Sequence, residues 1–108
     1  MPKPIILTVD DEEQVRNAVE RDLKRHFGKE YRIVKASSGT EALDSAYRFK
    51  ERNDVIALFL VDQRMPEMSG TEFLSEARQI YPEARKVLLT AYADTEAAIT
   101  AINTVDLD

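Results

Sequence analysis

The stretch Val55-Ile56-Ala57-Leu58-Phe59-Leu60-Val61-Asp62 decides the fold. Its seven apolar residues follow one another without polar alternation. A strand with one wet face alternates apolar and polar residues. An unbroken run of this length is the pattern of a strand covered on both faces, as in a parallel sheet between helix layers. The run then meets a carboxylate, with Pro66 and Gly70 soon after. A turn residue needs no such strand behind it, so Asp62 raises a second possibility, that of a reactive group held at the edge of a core.

Working outward, Ile5-Ile6-Leu7-Thr8-Val9 reads as a second buried strand, ending abruptly in Asp10-Asp11-Glu12-Glu13. Val15, Ala18, Val19, Leu23 and Phe27 form a helical stripe. Asp11 and Gln14 have N-cap and N3 spacing for that helix, and Gly28 suits its C′ position. Tyr31–Ala36 is a short strand centred on Ile33 and Val34. Ser38-Gly39-Thr40-Glu41 has the capping-box pattern and opens a helix burying Ala42, Leu43, Ala46 and Tyr47 or Phe49. Gly70 precedes a helix with Phe73, Leu74, Ala77 and Ile80 inward, stopped by Pro82. Val87-Leu88-Leu89 is the fourth strand and runs into Thr90. Asp94 can cap a fourth helix through Ala97, Ala98, Ala101 and Ile102, and Val105–Asp108 could begin a fifth strand. Strand and helix alternate four times, which predicts an α/β fold with a parallel sheet.

Composition narrows the function classes. The 108 residues suffice for one domain, and 44% hydrophobic with 32% charged residues is an ordinary soluble balance. There is no cysteine, which removes disulfides, thiolate metal sites and a cysteine nucleophile. The net charge of −5 argues against binding a phosphate backbone. No signal peptide or membrane span is readable, so the expected compartment is the cytoplasm.

In the flavodoxin-like, doubly wound order 2-1-3-4, the strand order reverses between the first and third strands, and ligands bind outside the carboxyl ends at that crevice. Asp10 and Asp11 end the first strand and Asp62 the third, so three carboxylates distant in sequence would meet there, with Thr90 beside them. Such a cluster needs a proton or a cation. An oxygen-only set without His or Cys suits a hard cation, Mg²⁺ before Ca²⁺. One carboxylate could then act as a nucleophile and form an aspartyl phosphate.

Asp10-Asp11, Leu60–Gly70 ("LVDQRMPEMSG") and Val87–Ala91 ("VLLTA") resemble the receiver domains of two-component response regulators over nearly the whole chain. The resemblance implies that Asp62 is the phosphoacceptor and that Mg²⁺ or Mn²⁺ is held by Asp10, Asp11, Asp62 and the backbone carbonyl of Arg64. It makes Thr90 and Ala91 the residues that contact the phosphate and switch, and Met65, Pro66 and Gly70 the loop that shapes the site. The family places a lysine-proline pair at the end of a fifth strand. The sequence ends before that position, so the expectation is a single receiver domain, 1–108, incomplete at its C-terminus, with the fifth strand and fifth helix largely missing.

Each residue alone has a blander reading. An Asp pair before a helix is commonly a cap, Asp62 before Met-Pro a turn residue, and Thr90 a strand-end hydroxyl. His26 reads as a partly exposed residue at a favourable helix end. The joint pattern favours a phosphoacceptor signalling module, served by a histidine kinase or phosphotransfer protein and acting on a linked or separate effector. Such a module catalyses only its own phosphorylation and dephosphorylation. A phosphorylation-independent docking module is the alternative, although such proteins usually lose an acidic residue. A metal-dependent phosphatase of the haloacid dehalogenase type would want a second Asp two positions after the first, where Arg64 stands. The text of the loops is similar to receivers with enzymatic effectors more than DNA-binding ones. The open edge of the fourth strand predicts self-association.

Overall fold

A computed structural model describes residues 3–89. The elements in chain order are β1 (Ile5–Val9), α1 (Glu13–Phe27), β2 (Arg32–Ala36), α2 (Gly39–Glu51), β3 (Ile56–Asp62), α3 (Gly70–Ile80) and β4 (Arg85–Leu89). The four strands form one parallel sheet in the order β2-β1-β3-β4, the doubly wound, flavodoxin-like arrangement the sequence predicts. Thr90, Ala91, Tyr92, the helix expected from Asp94 and the strand expected at Val105 lie outside the described residues.

Helices cover the sheet on both faces, and the alternation of the strands sorts their side chains between two cores. Ile5, Leu7 and Val9 of β1 pack with Ala42, Ala46 and Phe49 of α2 and with Phe73, Ala77 and Ile80 of α3. Ile6, Leu58 and Leu60 point the other way, onto Val19 and Leu23 of α1. Every residue of β1 is buried, which accounts for its lack of polar alternation. Fully burying one such Leu, Ile or Phe side chain stabilises by about 1.5–3 kcal/mol. Phe59 anchors the α2/α3 side through edge-on contacts with Phe73 and Tyr81, ring centroids 5.6 and 6.3 Å apart.

One irregularity in the β1–β3 ladder sets the level of the strand ends. Ile5 pairs with Ile56 but Ile6 pairs with Leu58, so Ala57 is an extra residue on β3. Downstream of that bulge Val9 lies opposite Val61. A regular ladder starting from Ile5 and Ile56 would have set Val9 opposite Leu60 and left the following carboxylates out of step. The bulge also lets Ile56, Phe59 and Val61 share one core despite their uneven spacing.

Several helix ends differ from the sequence-based expectation. The N-cap of α1 is Glu12, not Asp11, and it makes no side-chain cap hydrogen bond. The neighbouring Asp10 carboxylate accepts from the Glu12 N–H instead, at 2.9 Å. Gly28 caps the C-terminus at φ −63°, an ordinary right-handed conformation rather than the left-handed C′ geometry; what favours glycine there is space, because a Cβ would collide with the Lys24 carbonyl oxygen. In α2, Ser38 Oγ accepts from the Glu41 N–H at 3.1 Å, whereas the Glu41 carboxylate accepts from the Ser37 hydroxyl; only half of the capping box forms. Phe49 is the inward residue of α2, and Tyr47 is 54% exposed. The run at β3 starts one residue later than its apolar text, leaving Val55 60% exposed.

Candidate functional site at the carboxyl ends of β1 and β3

Because Val9 and Val61 are paired, the next residue on each strand is a carboxylate at the same level: Asp10 and Asp62. Asp11 follows in the three-residue connection to α1. Oxygens of Asp10, Asp11 and Asp62 lie within 4.8 Å of one another, at the crevice where the strand order reverses. Asp10 is buried, Asp62 half-buried and Asp11 exposed, so the cluster has a dry base and an open mouth.

The electrostatics follow from that placement. Burial, followed by the charges of Asp62, Asp11 and Glu12, raises the Asp10 carboxyl to about 6, against the opposing hydrogen bond from the Glu12 N–H. Asp62 is raised as well, first by burial and then by Asp11 and Glu12, while hydrogen bonds from the backbone of Arg64 and Gln63 pull it back. Carboxylates that resist ionisation because they face one another are relieved by a cation. Three oxygen ligands, no nitrogen or sulfur, and an open side for waters fit a hard divalent ion such as Mg²⁺.

Asp10 is held on three sides. Its N–H donates to the Ala36 carbonyl of β2 at 3.2 Å, its Oδ1 accepts from Glu12, and its carbonyl accepts from Arg16 Nη1 of α1 at 3.0 Å. Asp62 is the last residue of β3, and the loop after it is tied down around Gln63. The Gln63 N–H donates to the Leu89 carbonyl at 3.0 Å, and its own carbonyl accepts from Gly70 at 3.1 Å. Gln63 Oε1 accepts from both the N–H and the hydroxyl of Thr71, at 2.9 and 2.8 Å. Glu67 takes the left-handed conformation, φ 69°, and the Met68 N–H donates across it to the Pro66 carbonyl at 2.7 Å. Met65 is buried in the α2/α3 core, and Met68 lies against Gly39 at the start of α2. Gly70 sits where a Cβ would come 2.5 Å from the Asp62 carbonyl oxygen. Arg64 and Pro66 are exposed.

The structure thus brings Asp10, Asp11 and Asp62 together, with the Met65–Gly70 loop beside them. Three supporting residues were not singled out from the sequence. Ser69 is the N-cap of α3 and forms a complete capping box with Glu72; Ser69-Gly70-Thr71-Glu72 carries the same pattern recognised at Ser38 and could have been found by it. Gln63 and Arg16 act through backbone groups, for which the text offers no spacing rule.

Known proteins resemble this chain over most of its length. Residues 6–106 match the family described as the response regulator receiver domain. The hydrogenase transcriptional regulatory protein HoxA of Cupriavidus necator is 35% identical over 98 residues, an alignment covering 91% of this chain and 18% of the regulator. The chain therefore spans under a fifth of that relative's length. A CheY-like receiver domain from Methanospirillum hungatei superposes with a TM-score of 0.68 at 28% identity, covering 94% of this chain and 74% of that one. A histidine kinase ThkA–response regulator TrrA complex matches with a TM-score of 0.67 at 33% identity, covering 83% and 71%. On the family match, the strand order and the relatives, this chain belongs to the response regulator receiver-domain family.

Proposed function

We propose that the chain is a single receiver unit whose Asp62 accepts a phosphoryl group with the help of a divalent cation, and that the observation carrying this reading is the convergence of Asp10, Asp11 and Asp62 within 4.8 Å at the switch point. A bound Mg²⁺ or Mn²⁺ supplies positive charge that offsets the negative charge of the phosphoryl oxygens. Asp10, Asp11 and Asp62 would hold it, together with the Arg64 carbonyl.

The chemistry assigned to the chain's own residues is short. A carboxylate oxygen of Asp62 attacks phosphorus in line with the leaving group. A new O–P bond forms as the donor's P–N bond, in a phosphohistidine, or its P–O bond, in a small acyl phosphate, breaks. The electron pair of the broken bond leaves with the imidazole or carboxylate. Asp62 suits the role because it ends a strand buried at its back and is half-open at its front. The backbone N–H groups of Arg64 and Gln63 favour its ionised, nucleophilic form. Thr90 and Ala91 are assigned to contact the phosphoryl group and carry the switch. Met65, Pro66 and Gly70 shape the wall beside it.

The donor in this reading is a histidine kinase or phosphotransfer protein; a kinase–regulator complex among the structural neighbours supports that class. A bias between two conformations would relay the signal to an effector. HoxA is a transcriptional regulatory protein, which lends no support to the enzymatic effector suggested by the loop text. No helix among the described residues is long and apolar enough to cross a membrane.

The test is incubation with Mg²⁺ and acetyl phosphate followed by intact mass measurement. One labile phosphoryl adduct, absent in Asp62→Asn and in EDTA, is the expected result. A folded protein that gains no adduct refutes the reading. Continuous turnover of a phosphate ester would favour a phosphatase.

A further inference from the structure

Among the described residues, Arg16 is the one cation whose side chain holds the backbone of the acidic connection. Its Nη1 donates to the Asp10 carbonyl at 3.0 Å across six residues. That carbonyl belongs to the Asp10–Asp11 peptide, which has left the sheet and no longer has a ladder partner. Asp10 keeps two other restraints, through the Ala36 carbonyl and the Glu12 N–H. Asp11 is exposed and its carboxylate makes no hydrogen bond or ion pair among the described residues, so the direction of its side chain depends on the peptide plane that precedes it. The guanidinium holds that plane. Arg16 is half-buried, its own N–H sits in the first turn of α1 on the Glu12 carbonyl at 2.8 Å, and it joins none of the ion pairs found among the described residues.

We propose that Arg16 is a positioning residue for the cation site: by clamping the Asp10 carbonyl it orients the Asp10–Asp11 peptide so that both carboxylates face Asp62. This rests on the reading of the cluster as a divalent-cation site. Two effects compete. Orientation makes Arg16 favour cation binding. Its positive charge beside the site would oppose it. Orientation dominates because the contact is a directed hydrogen bond to a carbonyl, and no carboxylate of the cluster lies within ion-pair distance of the guanidinium. Residues that orient ligands from behind typically change metal affinity about 10–100-fold when removed.

The experiment compares wild type, Arg16→Ala, Arg16→Met and Arg16→Lys. Mg²⁺ is titrated while the amide resonances of Asp11 and Asp62 are followed, and the Mg²⁺ dependence of acetyl phosphate labelling is measured alongside. We expect Ala and Met to weaken Mg²⁺ binding by about tenfold, with the labelling rate at saturating Mg²⁺ within about twofold of wild type, and Lys to recover part of the loss. In the Mg²⁺-free protein, the Asp11 amide of the Ala variant should exchange faster with solvent. Unchanged Mg²⁺ affinity with only a lower melting temperature would make Arg16 purely structural and overturn the proposal. Tighter binding in Ala and Met would make it a charge effect and overturn it too. If wild type itself binds no Mg²⁺, the reading of the site fails, and the variants cannot be blamed for it.

Discussion

Substituting Gly70 by alanine tests the packing that holds the site. A Cβ at this position would lie 2.5 Å from the Asp62 carbonyl oxygen, 2.6 Å from Leu88 Cδ1 and 3.0 Å from Gln63 Cα. Carbon–carbon contacts settle at about 3.5–4.0 Å, so the methyl group overlaps its neighbours by the better part of an ångström. Leu88 can rotate away. The Asp62 carbonyl and Gln63 Cα are backbone, and the Gly70 N–H is itself bonded to the Gln63 carbonyl at 3.1 Å. Relief must therefore come from moving the end of β3 away from the start of α3. Overpacking of this kind costs about 1–3 kcal/mol, and the reduced freedom of alanine in the unfolded chain returns about 0.4–1 kcal/mol. At the middle of both ranges the net loss is about 1.3 kcal/mol, which for a domain of this size lowers the melting temperature by about 5–10 °C. Thermal unfolding followed by circular dichroism reads it, and the acetyl phosphate labelling rate should fall with it because the strand end that moves carries Asp62. Gly39→Ala is the control. There the Cβ meets only the Met68 side chain, Sδ at 2.8 Å, Cγ at 3.1 Å and Cβ at 3.2 Å, which can turn about its own bonds without moving a strand end, and a smaller loss is expected. A Gly70→Ala variant that melts within about 2 °C of wild type and labels at the same rate would refute the close-approach argument.

Ser69→Ala removes the hydroxyl half of the only complete capping box among the described residues and should cost about 1 kcal/mol, read as a lower urea midpoint with an unchanged slope. The raised carboxyl of Asp10 has a definite sign. The folded protein holds that proton up to about 6, whereas the ordinary value is 3.8, so metal-free stability from this group is largest below the lower value, declines as the pH rises between the two, and is level above. Asp10→Asn should then stabilise the metal-free protein at pH 7 by at most about 3 kcal/mol and flatten that decline, as measured by urea unfolding in EDTA; a less stable variant at pH 7 would contradict the account. Mg²⁺ at ten times its dissociation constant should stabilise wild type at pH 7 by about 1.4 kcal/mol, and Asp11→Asn should lose most of that gain in the same assay.

The sequence made the architecture legible because periodicity reports burial, and burial is what the strands share. The run before Asp62 and the run before Asp10 both lack alternation, and both strands lie between helix layers. The meeting of three carboxylates was legible for a related reason: Asp10 and Asp62 stand where apolar strands stop, and Asp11 follows Asp10. Features set by hydrogen-bond competition rather than by burial were not. Asp11 has the spacing of an N-cap, yet the connection is short enough for the Asp10 side chain to reach the Glu12 N–H instead. The bulge at Ala57, on which the common level of Asp10 and Asp62 depends, has no mark in an apolar run where any register would bury well. Arg16 and Gln63 serve backbone carbonyls and N–H groups, which no side-chain motif encodes.

The central claim is that Asp62, and not either acidic neighbour, receives the phosphoryl group. Borohydride reduces an aspartyl phosphate to homoserine and leaves free aspartate untouched, so the residue can be read directly. Labelling the protein with acetyl phosphate and Mg²⁺, reducing it, and sequencing the peptides by mass spectrometry should find homoserine at position 62. Homoserine at position 10 or 11, or at no position in a folded protein, would contradict the account.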